Sequence, residues 1–175
     1  MRKLTMPELN RLSLSEYQQV EKLDVIIVLD NVRSLSNIGS FFRTADAFRI
    51  GEIFLCGITA CPTHREIHKT ALGAEESVKW RYFETTEDAC KHLKETGYTI
   101  NAVEQIEGSI MLNDFTHKEK SAYIFGNEVD GVDDDILQYC DNAIEIPQEG
   151  TKHSLNVSVT AGIMMYEIFN FLWKK

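Results

Sequence analysis

From Val25 onward the chain alternates short apolar runs with stretches of helical periodicity. The runs Val25–Leu29, Ile53–Cys56, Val78–Phe83, Tyr98–Val103, Ala122–Phe125 and Ala143–Ile146 have the texture of strands buried on both faces. Between them, Asn37–Phe48 is apolar on one side through Ile38, Phe41, Phe42, Ala45 and Phe48. Thr86–Glu95 follows a threonine, carries acids early and lysines late, and stops at Gly97, which suits a helix and its dipole. Asp133–Tyr139 is a short helical stretch and Leu155–Trp173 a long one. Six strands with helices between them predict an α/β domain built on a parallel sheet over residues 25–175. Residues 1–24 predict a helical extension: Thr5 with Glu8 and Ser13 with Glu16 have capping-box spacing, and Leu9, Leu12, Leu14, Tyr17 and Val20 give partial helical periodicity.

Composition narrows the setting. The 175 residues, 43% of them apolar, fill one core. Cys56, Cys61, Cys90 and Cys140 form no CxxC pair, and no charged leader with an apolar stretch opens the chain, so the expectation is reduced thiols and a cytoplasmic location. No apolar run approaches the roughly 18 residues of a membrane span. The net charge of −9, from 18 Lys+Arg against 27 Asp+Glu, opposes a nucleic-acid coat protein and by itself favours a small-molecule enzyme. A local basic patch remains compatible with RNA, because salt confines such fields to about 8 to 10 Å.

Ligands of open α/β sheets sit outside the carboxyl ends of the strands, and three of those loops stand out. The first strand runs into Asp30-Asn31-Val32-Arg33-Ser34-Leu35-Ser36-Asn37-Ile38-Gly39-Ser40 and then Phe41-Phe42-Arg43-Thr44-Ala45-Asp46. Ser36 or Asn37 is placed to cap the helix, whose free N–H groups favour a phosphate, and Arg33 and Arg43 are spaced for phosphate contacts; the plain alternative for Arg43 is a pair with Asp46. The fifth strand ends in Gly126-Asn127-Glu128-Val129-Asp130-Gly131-Val132, where glycines permit close backbone approach around an amide and a carboxylate. The sixth leads into Ile146-Pro147-Gln148-Glu149-Gly150-Thr151-Lys152-His153-Ser154-Leu155-Asn156-Val157-Ser158; helix capping accounts for Ser154 or Asn156, not both. No dinucleotide fingerprint, P-loop or nucleophile elbow is present. His64 and His68, with Cys61 upstream, have ligand spacing but no assigned fourth ligand, so no metal is expected.

Together the three loops resemble the motifs of the SpoU (TrmH-like) branch of the SPOUT RNA methyltransferases: N-x-G-S-x-x-R-T at Asn37–Thr44, G-N-E-x-x-G at Gly126–Gly131 and I-P-x-x-G-x-x-x-S-L-N-V-S at Ile146–Ser158. The third is the most specific. Order and spacing match, over roughly residue 24 to the C-terminus. The departures, Val132 where leucine or isoleucine is commoner and Gln148 where methionine is frequent, touch no polar motif position.

The resemblance implies an α/β fold with a C-terminal trefoil knot, S-adenosylmethionine held in the knot, a homodimer through the knot region, and methyl transfer to a ribose 2′-hydroxyl of tRNA or rRNA, with no DNA and no membrane involved. The absence of a large N-terminal RNA-binding domain favours tRNA. It carries cofactor contacts onto Gly126, Asn127, Ile146, Pro147, Gln148, Ser154 and Leu155, catalytic positions onto Asn37, Arg43, Glu128, Ser154 and Asn156, and RNA contacts onto Arg33 and Arg43. Arg43 is often assigned as the base in the family, yet a guanidinium does not readily deprotonate. Binding the neighbouring phosphate fits its chemistry better, leaving proton removal to the substrate phosphate, water or Glu128. The competing expectation is a catalytically silent RNA-binding or assembly protein on the same fold; a third is methylation of a small molecule.

Overall fold

A computed structural model describes residues 1–5 and 7–173; residue 6 of the expected extension and the expected domain end at residue 175 lie outside the described residues. Seven parallel strands form one sheet in the order β3-β2-β1-β6-β4-β7-β5: β1 Leu23–Asp30, β2 Ile50–Cys56, β3 Lys79–Phe83, β4 Thr99–Val103, β5 Ile110–Met111, β6 Ser121–Phe125 and β7 Asn142–Glu145. The six apolar runs are six of these strands, with ends moved by one to three residues. β5 is an addition of two residues, too short to show a pattern, and exists because it pairs with β7 through Ile110↔Ile144 and Met111↔Glu145. β1 already includes Leu23 and Asp24, so the sheet begins inside the stretch expected as the extension.

The central strands are buried on both faces, which is why they read as unbroken apolar runs. Val25, Ile27 and Leu29 face α2 (Leu35–Ala47), α3 (Arg65–Ala71) and α7 (Val157–Leu172), packing with Phe41, Phe42, Met164, Met165 and Ile168. Ile26 and Val28 face the other layer, α5 (Thr86–Glu95) and α6 (Asp134–Leu137), with Ala89, Cys90, Leu93 and Ile136. The edge strand β3 exposes Lys79, Arg81 and Tyr82, charges that disfavour pairing with a further strand. In the N-terminal segment Ser13 and Glu16 form a full capping box on α1 (Leu14–Gln19), with Glu16 returning to the Ser13 N–H at 2.8 Å, whereas at Thr5 only one half forms, its N–H donating to Glu8 at 2.7 Å. Tyr17 is buried and donates its hydroxyl to the Asp46 carbonyl at 2.8 Å, tying this segment to the end of α2.

Two polar anchors set the carboxyl edge of the sheet. Asp30, 1% exposed, accepts from Thr86 Oγ1 at 2.5 Å and Asn31 Nδ2 at 2.9 Å, and its other oxygen accepts from the Asp133 N–H at 3.1 Å. A buried carboxylate is costly unless its oxygens are satisfied, and satisfying this one ties the end of β1 to the starts of α5 and α6. Thr59 does the same on the other side, donating to the Leu29 carbonyl and accepting from the Val32 N–H.

α3 and α4 (Ala74–Ser77) carry too few turns for a periodic signal. α3 lies so close to α2 that a Cβ on Gly39 would stand 2.0 Å from Thr70 Oγ1 and 2.4 Å from the Ile67 carbonyl oxygen. The Gly39→Ala variant is therefore expected to lose on the order of 1 to 3 kcal/mol of stability through overpacking, read from urea denaturation. A loss within a few tenths of a kcal/mol would show that the two helices separate freely.

Candidate active site

The loops after β1, β6 and β7 meet at the carboxyl edge, and three side chains join them. Ser34 caps α2, its hydroxyl accepting from the Asn37 N–H at 3.3 Å; the cap expected at Ser36 or Asn37 falls to Ser34 instead. Asn37 is thereby carried into the first turn, almost fully buried, with its amide free to reach the other loops. Its Nδ2 donates to Glu128 Oε1 at 2.9 Å, and its Oδ1 accepts from Asn156 Nδ2 at 3.3 Å. Glu128 also accepts from the Ser34 N–H at 3.0 Å and the Arg33 N–H at 3.1 Å. Asn156 caps α7, its Oδ1 accepting from Ser158 N–H at 2.9 Å and Ser158 Oγ at 2.6 Å. With that oxygen held by the helix, only its amide hydrogens are left to face Asn37. The polarity of the chain of bonds then follows: Asn156 donates to Asn37, and Asn37 donates to Glu128.

The loop of Glu128 is itself tightly built. Asn127 Oδ1 accepts from the N–H groups of Val129 and Asp130, both at 2.9 Å, and its backbone pairs with Gly131. A Cβ on Gly126 would lie 1.9 Å from the Gly131 carbonyl carbon, so no larger residue fits there. Gly131 takes φ +74°, where glycine is favoured.

Beside this junction lies a cleft of about 450 Å³, within the size range of small-molecule sites. Gly126, Asn127, Glu128, Ile146, Gln148, Ser154, Leu155 and Asn156 line it, as does the apolar floor of Val103, Phe125 and Ile144. Pro147, expected at the cofactor, is exposed and is not among the lining residues. Asn37 stands behind the lining, connected through Glu128 and Asn156. Arg43 is exposed on α2, outside the lining, and no ion pair engages it among the described residues. The considered pair with Asp46 does not form: Asp46 accepts from the Ser77 hydroxyl. Arg33 stands on the rim, 3.8 Å from Asp130 with both side chains exposed, a pair worth little.

Glu104 and Gln105, from the loop after β4, also line the cleft, and the sequence reading passed them over. Gln105 Nε2 donates to the His153 carbonyl at 3.2 Å, lacing that loop to the one after β7. The available signal was the strand-end rule alone, which applies to β4 as to the others. His64 and His68 serve locally: His64 caps α3 through the Glu66 N–H, and His68 contacts Glu75.

Comparison with known proteins decides the family. The model of the SpoU rRNA Methylase family matches residues 24–166, spanning the sheet, all three loops and most of α7. The chain belongs to this family. Among SpoU relatives it is 32% identical over 161 residues to the tRNA (guanosine(18)-2′-O)-methyltransferase of Thermus thermophilus, covering 91% of this chain and 81% of that protein. It is 29% identical over 143 residues to the 23S rRNA (guanosine-2′-O-)-methyltransferase of Neisseria meningitidis, covering 82% of this chain and 57% of that one. The AdoMet-bound rRNA methyltransferase structure from Sinorhizobium meliloti superposes with TM-score 0.80 at 26% identity, covering 89% of this chain and 60% of that one. This SpoU chain thus spans less than two thirds of that solved neighbour.

Burial pushes the Glu128 carboxyl upward, but the Asn37 amide and the Arg33 and Ser34 N–H groups outweigh it, and the result lies below the ordinary value of 4.5. A depressed pKa adds stability above the ordinary value, and this is lost as pH falls through the depressed one. The amide signals of Arg33 and Ser34 should accordingly titrate together, with a midpoint below 4.5, when followed by NMR. A midpoint at or above that value would mean that the three donors do not hold the carboxylate.

Proposed function

We propose that this protein transfers a methyl group from S-adenosylmethionine to a ribose 2′-hydroxyl of RNA. The observation that carries the reading is the junction of Glu128, Asn37 and Asn156, which draws all three motif loops to one cleft. The residues present fit the cofactor. An adenine would find an apolar floor in Val103, Phe125 and Ile144, and the walls carry Glu104, Glu128, Asp130 and Glu145 with no lysine or arginine among the described lining residues. That charge suits a sulfonium and an ammonium and repels a phosphate. The names of the relatives favour tRNA as substrate: the tRNA methyltransferases of Thermus thermophilus and Aquifex aeolicus align over 81% and 72% of their lengths, the Neisseria rRNA enzyme over 57%.

When bound, S-adenosylmethionine supplies a methyl carbon already activated by its positive sulfur. The protein has to align a ribose oxygen with that carbon and manage a proton. Gly126, Ile146, Ser154 and Leu155 hold the donor. Arg43, exposed and unpaired among the described residues, holds the phosphate next to the reacting ribose as a permanent cation and stabilises charge growing on the 2′-oxygen. Glu128 is a positioning group: its oxygens take three donors and its pKa is lowered, both unfavourable to a base. The 2′-hydroxyl proton would be left to the substrate phosphate or water, because Glu128 is committed to its three donors.

We further propose the family's trefoil knot and a homodimer. Supporting the knot, β7 sits between β4 and β5, residues beyond it line the cleft together with the loops after β4 and β6, and α7 packs against α2. Supporting the dimer, Val159, Ile163 and Tyr166 form an exposed apolar stripe along α7 at helical spacing. Residues 1–22, ahead of β1, are proposed as an extension of the methyltransferase domain, and the cytoplasm as its place of work; no helix of the described residues is long and apolar enough to cross a membrane.

Purified protein with tritiated S-adenosylmethionine should label unmodified tRNA at a 2′-O-methyl site, rRNA less or not at all. Label in neither, with cofactor bound, would favour the silent RNA-binding protein. Arg43→Ala should lower transfer at least 100-fold, the scale of losing a charge-stabilising group, while cofactor affinity stays within twofold; near-full turnover would refute its role. Ile163→Asp should give monomers in analytical ultracentrifugation, and an unchanged dimer would place the interface elsewhere.

A further inference from the structure

The loop after β4 brings a carboxylate into the cleft that none of the three motifs accounts for. Glu104 donates its backbone N–H to the Ile144 carbonyl of β7 at 3.1 Å, so its Cα is fixed to the sheet. Its side chain is fixed as well: Oε1 accepts from the Gln105 N–H at 2.8 Å and Oε2 from the Val132 N–H at 3.2 Å. Gly131 leaves room for it, since a Cβ there would lie 2.3 Å from Oε2. An ionised carboxylate offers about four acceptor sites, and these bonds use two.

The other acids of the cleft are differently committed. Glu128 holds three donors of the first loop. Asp130 faces Arg33 on the open rim, and Glu145 turns to Ser109 Oγ at 2.8 Å, beside the edge strand β5. Glu104 is half-buried, as Glu145 is, but it directly follows Val103 of the apolar floor that Val103, Phe125 and Ile144 form. A rigid acceptor pair at the end of a parallel strand, next to an apolar slot, is the arrangement that takes a ribose diol beside its base.

We propose that Glu104 is the acceptor for the ribose 2′- and 3′-hydroxyls of the bound adenosyl group, and that its hold on Val132 presents the Gly126–Val132 loop to the same ligand. The inference rests on the cofactor reading above. It makes Glu104 a specificity residue for a ribonucleoside donor, with one carboxylate serving the ligand and the wall of its pocket.

The test is a matrix of calorimetric affinities: S-adenosylhomocysteine and its 2′-deoxy and 3′-deoxy analogues, each against the wild type, Glu104→Gln and Glu104→Ala. In the wild type each deoxy analogue should bind about tenfold more weakly, the usual scale for a hydrogen bond to a charged group. Both variants should bind S-adenosylhomocysteine about tenfold or more weakly, yet no longer distinguish it from the deoxy analogues. Glu104→Gln, close in shape, keeps the test readable if the alanine variant does not fold. The proposal is overturned if the wild type does not discriminate, or if the variants weaken all three ligands by one factor, the mark of a purely structural clamp. Failure of the wild type to bind S-adenosylhomocysteine would instead defeat the cofactor reading itself.

Discussion

One run of hydrogen bonds, from Ser158 through Asn156 and Asn37 to Glu128, holds the functional edge of this protein together. Its members come from the segments that follow β7, β1 and β6, and bonded partners lie up to 119 positions apart in the chain. Each bond of this kind contributes only about 1 kcal/mol net. Their importance is geometric, because each amide has its orientation dictated by the next. The α7 cap fixes Asn156, Asn156 fixes Asn37, and Asn37 with two backbone N–H groups fixes Glu128. The cleft wall and the start of α2, which bears Arg43, are therefore placed by the same bonds.

That arrangement also divides charge. The cleft is lined by four carboxylates, whereas Arg33 stands on its rim and Arg43 outside it. The net charge of −9 is therefore compatible with an anionic substrate that meets the surface locally, within a screening length of about 8 Å. The proposed cationic cofactor and polyanionic RNA would thus meet charges of opposite sign on neighbouring parts of the surface. In this arrangement the proton acceptor need not be a protein carboxylate, since the one best placed by sequence, Glu128, is already occupied.

Much of this was legible from the chain because local chemistry decided it. Thr86–Glu95 forms as read, capped by Thr85 and ended before Gly97. The buried strands were visible because they are apolar on both faces. What escaped was decided by distant partners. Ser34 rather than Ser36 or Asn37 caps α2, in a loop whose N–H groups Glu128 draws across the site. β5 owes its two residues to β7. Glu104 belongs to no recognisable motif, and its place emerges only when the loop after β4 is folded against Gly131 and Val132. Pro147 reads as a pocket residue because it sits within the third motif, although it is not among the residues lining the cleft.

The claim that the three loops form one unit is tested most directly by a double-mutant cycle on methyl transfer with Glu128→Gln and Asn156→Ala, residues that share no hydrogen bond among the described residues and are each bonded to Asn37. Coupled residues show interaction energies of about 0.5 to 3 kcal/mol, whereas independent ones add within a few tenths. The account predicts that the double variant loses little more activity than the worse single variant. Losses that simply add would contradict it, and would make the three loops neighbours at one edge rather than parts of a single site.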